Sequence, residues 1–123
     1  MIFVYGSLLK GLPLSYILDD SDFLGDAVAG GVVLFDLGCY PAVKCGDGAV
    51  IGELYCINDE TLQNLDRVEG FYPEDLKNSL YHRRKIKILL PAISTEVFAY
   101  FYNGSVKGLV KIECGDYREY VNF

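Results

Sequence analysis

The sequence predicts an α+β domain, built as a small mixed β-barrel or a strongly curved sheet with one or two helices. Three observations favour this class. Short stretches rich in β-branched and aromatic residues recur along the chain, glycine-bearing turns separate them, and few segments have the apolar spacing of a helix. We expect residues 1–123 to form a single domain, because this length is enough for one hydrophobic core.

The first half of the chain is predicted to be mainly strand. The apolar residues 1–5 form a first strand that runs into a glycine-bearing loop, and 13–18 is predicted as a short helix, because proline suits a first helical turn. Three strands and two reversals are expected next: strands over 28–34, 42–44 and 50–57, and reversals at Gly38 and at Gly46-Asp47-Gly48.

Residues 58–68 form the clearest predicted helix. Asn58 is a favourable N-cap, Ile57 can pack on Leu62 as a hydrophobic staple, and Gly70 is well placed to end the helix.

The second half is predicted to begin with an irregular stretch over 71–79. Strands over 81–90 and 96–102 then form a long hairpin around Pro91, and a final segment over 110–123 closes over the sheet. The basic cluster 82–87 is interpreted as the solvated edge of a strand.

Charge and hydropathy exclude several classes of function. Aspartate and glutamate number 17 against 11 lysines and arginines, for a net charge of −6, which disfavours a nucleic-acid partner. The sequence has no run of 18 apolar residues, the length needed to span a membrane. It also has no basic segment before the first apolar stretch, as a signal peptide would have. We therefore expect a cytoplasmic protein, either a monomer or a weak homodimer.

The four cysteines are Cys39, Cys45, Cys56 and Cys114, and none belongs to a CxxC pair. A zinc site is therefore not expected. Buried free thiols are predicted instead, with a Cys39–Cys45 disulfide across a turn as the alternative.

The loop VYGSLLKG, residues 4–11, has the Gly6 to Gly11 spacing of a phosphate-binding loop. Leu12 and Pro13 stand where that motif needs a lysine and a hydroxyl residue. Nucleotide binding is therefore disfavoured.

Glu69 is the candidate general base. Leu62, Leu65 and Val68 define one apolar helix face, and Glu69 projects from that face in the last turn. Desolvation and the helix dipole both disfavour the carboxylate there, so a raised pKa is predicted. Neighbouring Asp66 is expected to be a solvated charge. The alternatives for Glu69 are full solvation or a structural ion pair with Arg67, Arg83 or Arg84.

Several motifs in register resemble those of the gamma-glutamyl cyclotransferase-like superfamily, whose pattern is an N-terminal VYGTL-type loop, then GELY, LDxxEG and YxR. The corresponding stretches here are VYGSLLKG at 4–11, YPAV at 40–43, GELY at 52–55, LDRVEG at 65–70, YHR at 81–83 and GDYREY at 115–120. Many members have an Asn-His pair after the loop, where this chain has Leu14-Ser15-Tyr16.

The resemblance implies release of 5-oxoproline from a small gamma-glutamyl substrate, without a metal or a cofactor. It assigns the general acid/base role to Glu69 and a substrate-cradling backbone to Tyr5, Gly6, Ser7 and Leu8. From the YxR pattern, Tyr81 places a hydroxyl in the pocket, with core packing as the alternative. The residues also predict that Tyr40-Pro41 shapes the pocket wall and that Glu53 makes a structural hydrogen bond.

The same residues allow two alternative functions. A non-catalytic module that binds a small carboxylate in the same pocket is the main alternative, although such a module gains nothing from a carboxylate beside an anion cradle. A Ser7–His82 hydrolase is disfavoured because YGSLL is not GxSxG, and His82 is expected on a strand surface.

Overall fold

The computed structural model describes residues 1–121, and the predicted curved mixed sheet is confirmed as a sheet curled into a half-barrel. In those residues seven strands follow the order β4-β6-β1-β3-β2-β5, with β7 also paired to β2. Their bounds are β1 Ile2–Val4, β2 Asp22–Asp36, β3 Pro41–Cys56, β4 Tyr81–Lys85, β5 Lys87–Leu90, β6 Phe98–Tyr102 and β7 Val110–Lys111.

A long antiparallel hairpin of β2 and β3 forms most of the sheet, with Asp22 opposite Cys56 and Asp36 opposite Pro41. The reversal at Gly38 is confirmed: its φ is +105°, and its N–H donates to Asp36 Oδ1 at 2.7 Å. The reversal predicted at residues 46–48 is wrong, because β3 continues through them. The strand absorbs these residues by a register shift opposite Gly31, which has a φ of +72°.

The predicted 81–90 strand is divided. Strand β4 pairs with β6 as expected, but β5 pairs with β2 at the opposite end of the strand order. Only Ile86 separates the two strands; its side chain is buried, and its N–H donates to Val97 O at 2.9 Å. Because a single residue spans a few ångströms, the two ends of the sheet must approach each other there. This approach explains the curl.

The predicted helix is confirmed as α1, Asp59–Val68. The side chain of Asn58 accepts from Thr61 N–H at 2.8 Å, and Gly70 follows the helix with a φ of +65°. Leu65 is fully buried, whereas Val68 is 46 % exposed, so the apolar face is narrower than predicted.

The other helical segments are short. The helix predicted over 13–18 is a 3₁₀ helix, Ser15–Leu18, and a second 3₁₀ turn, Leu76–Asn78, lies within the irregular stretch. The closing segment carries β7 and helix α2, Tyr117–Val121, and Gly115 O accepts from Ile51 N–H at 2.8 Å. The last two residues of the predicted segment, 122 and 123, lie outside the described residues.

All three residues of β1 are buried in the hydrophobic core. The predicted burial of the cysteines is wrong: Cys39, Cys45, Cys56 and Cys114 are all exposed and free. No helix within residues 1–121 has the length and hydrophobicity needed to cross a membrane.

Candidate active site

A cavity of about 360 Å³ opens where the loop after β1 meets the start of β3, the end of α1 and strands β4 and β6. Fourteen residues line it: Phe3, Val4, Tyr5, Gly6, Ser7, Leu8, Leu14, Tyr40, Pro41, Val68, Glu69, Leu80, Tyr81 and Tyr100. This set contains every predicted site residue and the predicted Tyr40-Pro41 wall. In the described part of the chain no lysine, arginine or histidine lines the cavity.

The loop after β1 is held by its own backbone. Leu9 N–H donates to Gly6 O at 3.0 Å, and Leu14 N–H donates to Ser7 O at 2.9 Å. Within residues 1–121 the N–H groups of Gly6, Ser7 and Leu8 have no protein acceptor. All three residues line the cavity, so these amides are available to a ligand bound there.

Gly6 is required by packing against the start of β3. A Cβ at this position would lie 2.6 Å from Pro41 Cγ and 2.9 Å from Pro41 Cδ. The close approach that requires a glycine at this position is therefore made by Pro41.

Glu69 caps the C-terminal end of α1 and is half-buried on the cavity wall. Burial raises the pKa of its carboxyl from 4.5 to about 7. It forms no ion pair with any residue from 1 to 121. Its carboxyl is thus a weakly acidic group without a fixed countercharge.

The three arginines considered as partners of Glu69 are engaged elsewhere. Arg67 donates to Asn64 Oδ1 at 3.2 Å, and Arg84 lies over the ring of Phe101 at 5.1 Å. Arg83 pairs with Asp66.

Asp66 is not the solvated charge that the sequence predicted. Its side chain is 18 % exposed, and it accepts hydrogen bonds from Arg83 and from the Tyr100 hydroxyl, the latter at 2.6 Å. Tyr100 lines the cavity and is the site residue that sequence reasoning missed. Strand alternation offered a signal for it. Tyr81 and Arg83 of the YxR motif lie on one face of β4, and Tyr100 lies opposite Arg83 on β6, so Tyr100 belongs to the same face.

Two tyrosine hydroxyls of the cavity are hydrogen-bonded to backbone carbonyls. The Tyr5 hydroxyl donates to Tyr100 O at 2.5 Å, and the Tyr81 hydroxyl donates to Pro41 O at 2.7 Å. Both residues line the cavity and also pack into the core, at 7 % and 3 % exposure. These bonds fix the position of each phenol oxygen.

The structural hydrogen bond predicted for Glu53 is confirmed. This buried carboxylate accepts from Lys10 N–H at 3.0 Å, from the Tyr55 hydroxyl at 3.1 Å and from Arg118 at 2.6 Å. It ties the loop after β1 to strand β3 and to helix α2.

Ser7 and His82 are not brought together as a nucleophile and base. Ser7 lines the cavity, whereas His82 lies outside it on β4, with Nε2 2.8 Å from Leu76 O. His82 is thus on the strand surface, as predicted. In the described range no three His, Cys, Asp or Glu side chains are grouped as metal ligands.

Comparison with known proteins gives consistent matches along the chain. Residues 2–119 match the family model for gamma-glutamyl cyclotransferase, AIG2-like proteins. The gamma-glutamylcyclotransferase family protein YtfP of Escherichia coli K12 is 34 % identical over 121 residues, covering 96 % of each chain.

Two solved structures show the same fold at 24 % identity. A Pyrococcus horikoshii protein aligns with a TM-score of 0.77 over 97 % of this chain and 90 % of its own. An AIG2-like protein of Mus musculus aligns with a TM-score of 0.70 over 91 % of this chain and 84 % of its own.

Proposed function

The chain belongs to the gamma-glutamyl cyclotransferase, AIG2-like family, and from that premise we propose that it releases 5-oxoproline from a gamma-glutamyl amine or peptide. The reaction is an intramolecular aminolysis in which the α-amine of the gamma-glutamyl group attacks its own γ-carbonyl. A five-membered lactam forms, and the amine on the other side of the γ-amide leaves.

The state of Glu69 carries the proposal. A general base works best when its pKa lies near the working pH, and burial raises the pKa of this carboxyl to about 7. No cation within residues 1–121 pairs with it to hold it ionised. The group is thus suited both to accept a proton and to return it.

Glu69 serves both proton transfers in the proposed mechanism. Its carboxylate removes a proton from the α-ammonium group, and the resulting amine attacks the γ-carbonyl to form the new C–N bond. The carboxylic acid then donates that proton to the departing nitrogen as the old C–N bond breaks. The second proton that the attacking nitrogen loses on becoming the lactam N–H goes to the released amine, which leaves as an ammonium ion. Glu69 ends the cycle ionised, as it began.

The amides of residues 6–8 supply the charge stabilisation. The substrate has an α-carboxylate, and its carbonyl oxygen becomes negative on attack. Fixed N–H donors in a cavity with an apolar lining stabilise such charges without reorganisation. Because no cationic side chain lines the described cavity, these amides are the main donors in the mechanism.

A test is the replacement Glu69→Gln, with 5-oxoproline release measured over a panel of gamma-glutamyl amines and dipeptides. The glutamine keeps the size of the side chain and cannot accept the proton, so we expect turnover to fall by at least about 100-fold. Glu60→Gln, an exposed glutamate on the same helix, is the matched control and should keep full activity. If Glu69→Gln kept its activity, the proposed mechanism would be wrong.

The same panel separates turnover from binding alone. A non-catalytic carboxylate-binding module would bind gamma-glutamyl compounds in the cavity and release no 5-oxoproline from any of them. Calorimetry on the wild-type protein beside the activity assay distinguishes this outcome from catalysis.

A further inference from the structure

Tyr5 and Tyr81 have no hydroxyl hydrogen left to offer a ligand. Each donates its single hydroxyl hydrogen to a backbone carbonyl, Tyr100 O at 2.5 Å and Pro41 O at 2.7 Å. A carbonyl can only accept, so the direction of both bonds is fixed. Towards the cavity, each phenol oxygen can therefore act only as an acceptor.

Both tyrosines line the same cavity as Glu69. The three residues line one cavity, and both tyrosines are almost fully buried. Burial raises the pKa of the Tyr81 hydroxyl, and the Glu69 charge raises it further. Burial, Tyr81 and then Glu69 raise the pKa of the Tyr5 hydroxyl in the same way. Since all three residues line the same cavity, three acceptor groups are available to one ligand there.

We propose that the hydroxyl oxygens of Tyr5 and Tyr81, together with the Glu69 carboxylate, bind the primary ammonium group of the ligand. The inference rests on the proposed function for the nature of that ligand. It adds a role for two side chains, where the proposed mechanism uses only the backbone of residues 6–8 and Glu69.

The number and kind of donors in the ligand match this arrangement. A primary ammonium group has three N–H donors and no acceptor, and the cavity offers it three acceptor groups. The amides of residues 6–8 offer only donors, which suit a carboxylate. A cavity divided into a donor part and an acceptor part selects a zwitterionic amino-acid group.

The arrangement also serves the proton transfer. When Glu69 takes one proton from the ammonium group, two N–H bonds remain on the neutral amine. The amine then turns its lone pair from Glu69 towards the γ-carbonyl, and the oxygens of Tyr5 and Tyr81 remain as acceptors that keep it in the site during this rotation.

The test compares two probes that differ only in this group. L-glutamine carries the α-ammonium group, and glutaramate, the same molecule with hydrogen in its place, does not. Affinities for both are measured by NMR titration with the wild-type protein, with Tyr5→Phe and with Tyr81→Phe. Each variant keeps the ring and loses the acceptor.

The wild-type protein should prefer L-glutamine by at least about tenfold, and each variant should lower this ratio about three- to tenfold, as for a hydrogen bond to a charged group. Tyr102→Phe is the control, because Tyr102 contacts the ring of Tyr81 from outside the cavity lining. It should leave the ratio unchanged.

The inference is overturned if both variants keep the wild-type ratio, or if the wild-type protein binds the two probes equally or binds neither. If the wild-type protein releases 5-oxoproline and both variants keep its affinity ratio, this inference is contradicted. The proposed function would then still stand. If the affinity ratios change as expected but the protein turns over no gamma-glutamyl compound, the proposed function is contradicted. The inference that these residues bind an ammonium group would still stand.

Discussion

Burial of Glu69 has a consequence for the stability of the folded chain. Its pKa is about 7 in the folded state, against roughly 4.3 in an unfolded chain. The folded state therefore binds the proton more tightly. Below about pH 4 the carboxyl is protonated in both states and carries no penalty; as pH rises through 7, folding has to bury a charge.

We therefore expect Glu69→Gln to melt at a higher temperature than the wild-type protein at pH 8. The difference should shrink as pH falls and disappear near pH 4. A pKa difference of this size corresponds to at most about 4 kcal/mol, or on the order of ten degrees in melting temperature. Thermal melts of both proteins between pH 4 and 8 measure it.

Glu60→Gln serves again as the control and should shift the melting temperature little at any pH, because Glu60 is exposed. A Glu69→Gln protein that melts below the wild type at pH 8 would indicate that the carboxylate is stabilised by an interaction absent from this structure.

Glu69 could be found from the sequence, whereas the role of Asp66 could not. The helical period alone places Glu69 beside an apolar face. The partners of Asp66 are Arg83 on β4 and Tyr100 on β6, which are 17 and 34 residues further along the chain. Such contacts depend on which strands pair with each other, and the residues next to Asp66 in the sequence do not predict that pairing.

At the scale of elements, the loop after β1 is packed directly against the start of β3 through Gly6 and Pro41. The rigid proline ring leaves no room for a Cβ, so Gly6→Ala should destabilise the protein by about 1–3 kcal/mol. In a Pro41→Ala background the same change should cost less than half as much. Urea unfolding of the four proteins in this cycle measures the coupling.

Ser7→Ala is the control for the cycle. Residue 7 already carries a Cβ, so this change should alter the free energy of unfolding by less than about 0.5 kcal/mol. Equal costs of Gly6→Ala in the two backgrounds would mean that the ring of Pro41 is not the obstacle.

The errors at this scale have a common cause. Residues 46–48 have the composition of a turn, yet the long hairpin carries them as a bulge, because β2 and β3 remain paired on both sides of a register shift. Residues 81–90 have the composition of one strand, yet burial of Ile86 divides it between two edges. Local composition predicts extended structure well, but the choice of partner depends on the whole sheet.

At the scale of the whole molecule, Glu53 links segments distant in sequence. It is 2 % exposed, and it accepts from the loop after β1, from β3 and from helix α2. Arg118 supplies the charge that balances this carboxylate, at 2.6 Å. Loss of that cation would leave a buried carboxylate unpaired.

We expect Arg118→Ala to lower the free energy of unfolding by about 2 kcal/mol, somewhat less than for a fully buried pair, because Arg118 is 38 % exposed. Hydrogen exchange at Lys10 N–H should also become faster, since its acceptor is Glu53. Lys111→Ala is the control: its contact with Glu113 is 3.8 Å long and exposed, so its loss should cost under about 1 kcal/mol. Similar losses in both variants would refute a special role for Glu53.

The two strands that pair with β1 are synthesised at very different times. It pairs antiparallel with β3 around residues 53–55 and parallel with β6, where Ile2 lies beside Phe98. On a ribosome, the β2–β3 hairpin can form from contiguous sequence, but β1 keeps one edge unpaired until β6 emerges. The cavity, whose walls include β1, β4 and β6, is therefore completed late in synthesis. Premature termination before residue 98 would leave the apolar edge of β1 open to other nascent chains, so fragments of this protein should aggregate more readily than the full chain.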